Sequence, residues 1–344
     1  MIRTILTIGL MAIVSHTFSQ DLKSLREIFL IMEKSKLAYE LDFNEDKQYP
    51  TYERKRLYNN YYLEIDEQGN RLFRTYEPDS AAAIPLTQAE TYFGAQKIAE
   101  ARGKYQEAYA LDSSNFSTLT YIAQTYGIEG NWEMAEKYYL KALEKNPVDY
   151  MNHWFIADTY RNTDRQNLCL YHLILAHLYN RNHEAILQEL TETLALSKIK
   201  VPDWTFSPKI EMAQVGREQI SVQSSQEWLS YAIVKAVWEY EPGYRESYGV
   251  EEGQFTVLEE FEALAALLDG VKANKKFGKT PMMKVLANSL DENNLVGFVI
   301  YEIFLPQYPN VAVQLSEGQM VKTASYFLQL RCSGKTMPFE SLIP

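Results

Sequence analysis

Between about residues 82 and 183 the chain repeats itself every 34 positions. Ala89, Ala123 and Ala157 share one register, and Tyr92, Tyr126 and Tyr160 share the next. Ala101, Ala135 and Cys169 form a third, then Tyr105, Tyr139 and Leu173, then Ala108, Ala142 and Ala176. Recurrence of residue size at a fixed interval means one supersecondary unit used several times, and a unit this short cannot bury its apolar side without a neighbouring copy. The sizes also say how copies pack. Small residues such as Ala123, Ala135 and Ala142 let helix backbones approach, while Ile122, Tyr126, Tyr139 and Leu143 fill the space beside them. Gly130 can end a first helix in the left-handed conformation, and Pro147 stops a second helix from continuing.

The segment from Phe116 to Asp149 resembles a tetratricopeptide repeat, carried by Leu119, Ile122-Ala123, Tyr126, Gly130, Ala135, Tyr139, Ala142-Leu143 and Pro147. The preceding unit keeps Ala101, Tyr105, Ala108 and Leu111-Asp112 but has Gln96 where the break belongs. With Thr87 and Glu90 spaced as a capping box, it reads as partly one long helix from Thr87 to Leu111. The following unit keeps Ile156-Ala157, Tyr160, Cys169 and Ala176 and ends in Arg181 instead of proline. The resemblance implies a mainly all-α fold, with tetratricopeptide-type hairpins stacked as a short solenoid over residues 82–200. It also implies that the first helix of each hairpin faces a groove. Carried onto this sequence, that places Tyr121 and Gln124 from one unit, and Trp154, Phe155, Asp158, Arg161 and Asn162 from the next, toward a protein or peptide partner. Helical periodicity agrees, since Ile122-Ala123-Tyr126 and Ile156-Ala157-Tyr160 take the core face and leave these residues on an adjacent one. An alternative use of Trp154 and Phe155 is as core, if other helices fill the groove.

Flanking segments complete the expected organisation. The apolar stripe Leu25, Ile28, Phe29, Met32 and Leu37 predicts one amphipathic helix over 21–41. Alternation in Tyr61 to Ile65 and Arg71 to Tyr76, around Asp66-Glu67-Gln68-Gly69-Asn70, predicts a β-hairpin. The tyrosine-rich stretch Tyr49, Tyr52, Tyr58, Tyr61 and Tyr62, beside Arg54, Lys55 and Arg56, is expected to pack that hairpin on the first repeat. A leucine face over 183–196 adds a helix, and Val201-Pro202 and Ser207-Pro208 bracket a loop. Further helices are predicted from Ser224 with Glu227, from Thr256 with Glu259, after Thr280-Pro281, and over 295–305 and 317–330. The resulting division is a leader at 1–19, an N-terminal helix and hairpin at 20–81, repeats at 82–200 and a helical region at 201–344.

The leader is read from Arg3, the apolar run Ile5 to Val14, and the small residues of Thr17-Phe18-Ser19. It predicts an exported chain, periplasmic or secreted, that starts at Gln20. Neither that run nor Leu295 to Leu305 is long enough to span a membrane. The formal charge of −11 argues against a nucleic-acid or anionic-membrane partner, which needs a basic face. Cys169 and Cys332 read as two buried thiols, with a disulfide chemically open to them in an exported chain.

Catalytic and cofactor signatures are missing. His172 and His177 are five apart, which splays them on a helix, and His183-Glu184 is followed by Leu187 where a zinc-peptidase helix needs histidine. The acidic run Asp42 to Glu53 has calcium-loop spacing, but Lys47 stands where the turn needs glycine, so it reads as an acidic linker. Glu251, Glu252, Glu259 and Glu260 read as charged helix faces. There is no phosphate loop, nucleophile elbow or CxxC pair. The expectation is a scaffold or adaptor, with no cofactor and no metal. Its alternative is an enzyme or small-ligand receptor whose C-terminal helices, with Trp228, Trp238 and Tyr240, close a pocket against the repeats. A glycan receptor of a nutrient-uptake complex, a class that also contains tetratricopeptide helices, is the third.

Overall fold

The computed structural model describes residues 22–51, 53–58, 60–250, 256–290 and 292–344. The chain forms two compact units, each built from two separated stretches. This differs from a division into consecutive blocks, because strands and helices pair with partners far along the chain.

The first unit combines the described residues up to Glu53 with Asp203–Glu302. Helix α1 (Leu25–Lys34) begins at the capping box of Ser24 and Glu27 and stops at Ser35. The helix expected to reach residue 41 therefore ends early. Residues Ala38–Phe43 instead form strand β1, parallel to β6 (Gln219–Ser224), which pairs antiparallel with β5 (Ile210–Gln214). The sheet order is β1-β6-β5, with α9 (Leu229–Tyr240) packed on it and α10 (Val257–Ala273) on α9. Ser224 and Glu227 do not cap a helix: Ser224 ends β6, and Glu227 accepts from the Gly278 N–H at 2.7 Å. Thr280 caps α11 (Pro281–Asn288) through the Met283 N–H, with Pro281 in its first turn. Helix α12 (Glu292–Phe298) runs on as a π-helical turn.

Glu259 and Glu260 are interior groups, against the expectation of a solvated face, and Glu262 is buried beside them. Lys235 bonds Glu259 and, at 2.7 Å, Glu260, whose other oxygen accepts from Tyr231 at 2.6 Å. Glu262 is 1% exposed. It accepts from Trp238 Nε1 and Tyr244 Oη at 2.7 Å each, from Tyr248 Oη at 3.1 Å and from the Lys23 backbone N–H at 2.7 Å. Glu251 and Glu252 lie outside the described residues.

The second unit, Arg54–Pro202 with Ile303–Pro344, contains the repeats. The hairpin expected at 61–76 is present as β2 (Tyr61–Ile65) and β3 (Arg71–Thr75). Helices α2 (Ser80–Gly94) and α3 (Ile98–Leu111), α4 (Phe116–Ile128) and α5 (Trp132–Lys145), and α6 (Tyr150–Asn162) and α7 (Gln166–Tyr179) make three antiparallel pairs. Helix α8 (Glu184–Leu196) comes next as an unpaired first helix. The expectation of a continuous helix from Thr87 is overturned. Asp79 caps α2, the Thr87 hydroxyl bonds the Ala83 carbonyl inside it, and Gln96 breaks the chain into two helices. Of the recurring registers, Ala89, Ala123, Ala157, Ala135 and Cys169 are completely buried, while Tyr92 and Tyr126 are half-buried.

Backbone geometry repeats at the same interval as the sequence. Gln96, Gly130, Asp164 and Lys198, spaced by 34, all have positive φ, at 60°, 73°, 57° and 62°. Each redirects the chain at the end of a first helix, so Lys198 marks a fourth unit. There the chain departs from the pattern: β4 (Ile199–Lys200) pairs with β7 (Ser333–Gly334) in place of a second helix. A Cβ on Gly334, at φ 109°, would collide with the Lys198 carbonyl oxygen, so only glycine admits this pairing. The remaining helices are α13 (Leu305–Gln307), α14 (Val311–Gln314) and α15 (Glu317–Tyr326), which continues as a π-helical turn. Since left-handed backbone costs a non-glycine residue about 1 kcal/mol, Gln96→Gly and Lys198→Gly should each raise stability by about 0.5 kcal/mol or more. Gly130→Ala, with nothing within 4 Å of the added carbon, should lower it by about 1 kcal/mol for backbone reasons alone. Urea midpoints moving the other way would remove this account of the turns.

Candidate partner-binding groove

The first helices α4, α6 and α8 stand side by side, and their sequence offsets place equivalent positions in line. On α6, Trp154, Phe155, Asp158 and Arg161 come together. The rings of Trp154 and Phe155 stack at 5.4 Å, and His183 meets Trp154 edge-on at 5.1 Å. Arg161 bonds Asp158 one turn before it and Glu189 on α8, whose second oxygen accepts from Trp154 Nε1. Asn162 reaches back to the Asp158 carbonyl at 2.8 Å. Burial and the nearby Glu189 push the Asp158 carboxyl above its ordinary range, against the pull of Arg161. Burial also raises the Cys169 thiol behind Arg161. The result is a half-exposed patch with an aromatic pair beside one arginine held between two carboxylates.

Tyr121 and Gln124 are half-buried on α4. Tyr121 packs at 5.4 Å on Tyr105, in the core around Ala89, Ala101 and Ile122, so it belongs to the seam between the first two hairpins. The residue that sequence reasoning missed is Glu189. Its signal was available, because Leu190 and Leu194 extend the registers of Ile156 and Tyr160 by another 34 positions.

Other groups singled out in the sequence have structural employment. Trp228 and Trp238 are 3% and 0% exposed, interior to the first unit, which removes them as pocket lining; Trp228 meets Phe206 and Tyr231 edge-on. Tyr240 is half-buried at the end of α9. His153 and His172 face each other inside the second unit, and His183 caps α8 through the Ile186 N–H. Tyr61 packs on Tyr150, at the junction of the second and third hairpins and not on the first. Tyr58 is 83% exposed, and Tyr52 lies outside the described residues. Glu45 accepts from the Gln226 N–H at 2.7 Å. Cys169 and Cys332 are buried, unlinked thiols. Among the described residues no three His, Cys, Asp or Glu side chains converge as metal ligands, and no helix is long and apolar enough to cross a membrane.

A 34-residue period in side-chain size, in left-handed turns and in helix caps defines the second unit as a tetratricopeptide-type stack of helical hairpins. Among solved structures, the first TPR of Spaghetti (RPAP3) bound to HSP90 peptide SRMEEVD is similar at 19% identity over 35% of this chain and 97% of that one, with a TM-score of 0.33. The Sgt2 TPR domain from Aspergillus fumigatus is similar at 15% identity over 35% of this chain and 82% of that one, with a TM-score of 0.32. No family model and no curated protein matches the chain.

Proposed function

We propose that the chain is an exported scaffold or adaptor that holds a protein or peptide partner on the face formed by its first helices. The observation that carries this reading is the patch on α6 and α8, where Trp154 and Phe155 stay half-exposed beside the Asp158–Arg161–Glu189 charges. Aromatic rings next to an arginine, ordered before binding, have the composition of an interaction hot spot and lose little side-chain entropy when a partner lands. Such a site suits a segment with an apolar anchor and polar groups of both signs around it.

The double change Trp154→Ala with Arg161→Ala tests it, using pull-down from periplasmic extract followed by titration of the recovered protein. Capture should weaken by about 2 kcal/mol or more. The melting temperature should fall by only a few degrees, because half-exposed ion pairs contribute about 1 kcal/mol or less. Collapse of the fold with no selective loss of capture would make these residues core instead. Export has its own test, since N-terminal sequencing of the processed protein should begin at or next to Gln20. Recovery of intact Met1 on a cytosolic chain would defeat that part.

A further inference from the structure

Asp112, Asn146 and Asn180, spaced by 34, end the second helices α3, α5 and α7 with nearly the same backbone, φ −134°, −138° and −140°. Each N–H bonds an alanine carbonyl four residues earlier, at Ala108, Ala142 and Ala176. Equal backbone geometry sends the three side chains out in equivalent directions, so they form a row along one edge of the stack. All three bond described residues at the two ends of the hairpin β2–β3, at Leu57, at Tyr61, and at Tyr76 and Asp79. Asn180 donates to the Leu57 carbonyl at 3.1 Å and accepts from the Leu57 N–H at 3.3 Å. Asn146 donates to the Tyr61 carbonyl at 2.9 Å, and Asp112 accepts from the Asp79 N–H at 3.1 Å and from the Tyr76 hydroxyl. The segment thus crosses the repeats in reverse order, last hairpin first.

An amide that gives and takes one hydrogen bond at a single residue offers what a neighbouring β-strand would, so it reads main chain and tolerates varied side chains. One side chain is read as well. Tyr61 is 2% exposed, stacks on Tyr150 at 6.4 Å and donates to the Val148 carbonyl at 3.1 Å. The stretch leading to it is held differently: residues 53–58 carry no helix or strand and, Leu57 aside, are exposed. Few buried apolar contacts and a handful of polar ones mark a segment that opens before the core does.

We propose that this edge is a second peptide-recognition surface, separate from the groove and independent of the function proposed for it. It takes a tyrosine-bearing chain that enters extended and folds back as a hairpin, and the described residues between Leu57 and Asp79 are its resident, displaceable ligand.

The test uses the full chain and a fluorescein-labelled synthetic peptide of residues 54–79, followed by anisotropy. Full-length Tyr61→Ala, which loosens the resident segment, should bind the peptide one to one and at least tenfold more tightly than the wild type. Adding Asn146→Ala and Asn180→Ala should weaken that binding at least tenfold. Absence of binding to folded Tyr61→Ala, or binding indifferent to both asparagines, would overturn the proposal. Hydrogen exchange on the wild type decides the matter even if Tyr61→Ala fails to fold. The Leu57 amide should exchange at least a hundredfold faster than that of Ile122 within α4, and equal rates would overturn the proposal.

Discussion

Acidification from pH 7 to 4.5 should strip the hairpin unit of stability at about 2 to 3 kcal/mol per pH unit once the pH passes below about 6. Three buried histidines cause this. His153 lies with Nδ1 2.8 Å from His172 Nδ1, and its Nε2 is 3.0 Å from the Pro147 carbonyl. With Nε2–H donating to that carbonyl, His153 Nδ1 can only accept, so a further proton would set two N–H groups against each other. Burial holds His153 down at about 4, and burial with the His153 charge depresses His172. Burial, then Arg181 and Arg331, depress His177. Each folded value lies below the unfolded one of about 6.5. In that window the unfolded chain binds more protons, and stability falls as pH falls, continuing to about 4 for His153. Asp149 works in the opposite direction. Burial raises its carboxyl to about 7, so between that value and its unfolded one the folded state takes up a proton and offsets one histidine. The half-exposed ion-paired Asp158 adds a smaller offset of the same sign. A net of about two protons gives the stated slope. Urea unfolding at several pH values measures it, and His177→Met should reduce the slope by about 1.4 kcal/mol per unit. A flat profile between pH 6 and 4.5 would show that these histidines do not titrate on unfolding.

In the first unit, Glu262→Ala should cost about 4 kcal/mol. The carboxylate is the common acceptor of two tyrosine hydroxyls, the Trp238 indole N–H and the Lys23 backbone N–H, all meeting where almost no water reaches. Deleting it strands four donors, each costing about 1 kcal/mol or more to leave unmade in the interior. It also frees Lys23, whose ammonium lies 4.8 and 4.4 Å from the Tyr244 and Tyr248 ring centres. Glu262→Gln keeps one acceptor and should recover part of the loss. A change below 1 kcal/mol in chemical denaturation would mean that the cluster relaxes or admits water.

Legibility of the sequence depended on how local each cause is. Hairpin packing was readable because each repeat carries its own small residues, and β2–β3 because alternation and turn lie within one short stretch. The three-stranded sheet was not. Strand β1 does alternate, with Tyr39 and Leu41 half-buried between exposed Ala38, Glu40 and Asp42, but the run is short, it directly follows the helical stripe of α1, and its parallel partner lies far away at 219–224. Ser24 with Glu27 and Ser224 with Glu227 share one spacing, yet only the first makes a cap, because Gly278 takes the Glu227 carboxylate. Glu259 and Glu260 read as surface because charge usually is, and Glu262 is buried beside them. Their burial depends on Lys235, Tyr231 and Trp238 arriving from another helix. In the patch on α6 and α8, Trp154, Phe155, Asp158 and Arg161 come from the family register, while Glu189 sits in a fourth unit whose second helix never comes.

The interleaved division of the chain has a consequence for its synthesis. Strand β1 leaves the ribosome long before its partner β6 exists, and every hairpin of the second unit is made in the interval. Emerging helices need only near neighbours and can pack at once, so the stack forms while β1 still waits with an unpaired edge. The second unit in turn lacks β7 until residues 333–334 are translated, after the first unit's stretch up to Glu302 has been made. Neither unit can be released from the other by a single peptide-bond cleavage, and a chain arrested near residue 200 would carry a formed hairpin stack together with a strand that has no partner to pair with.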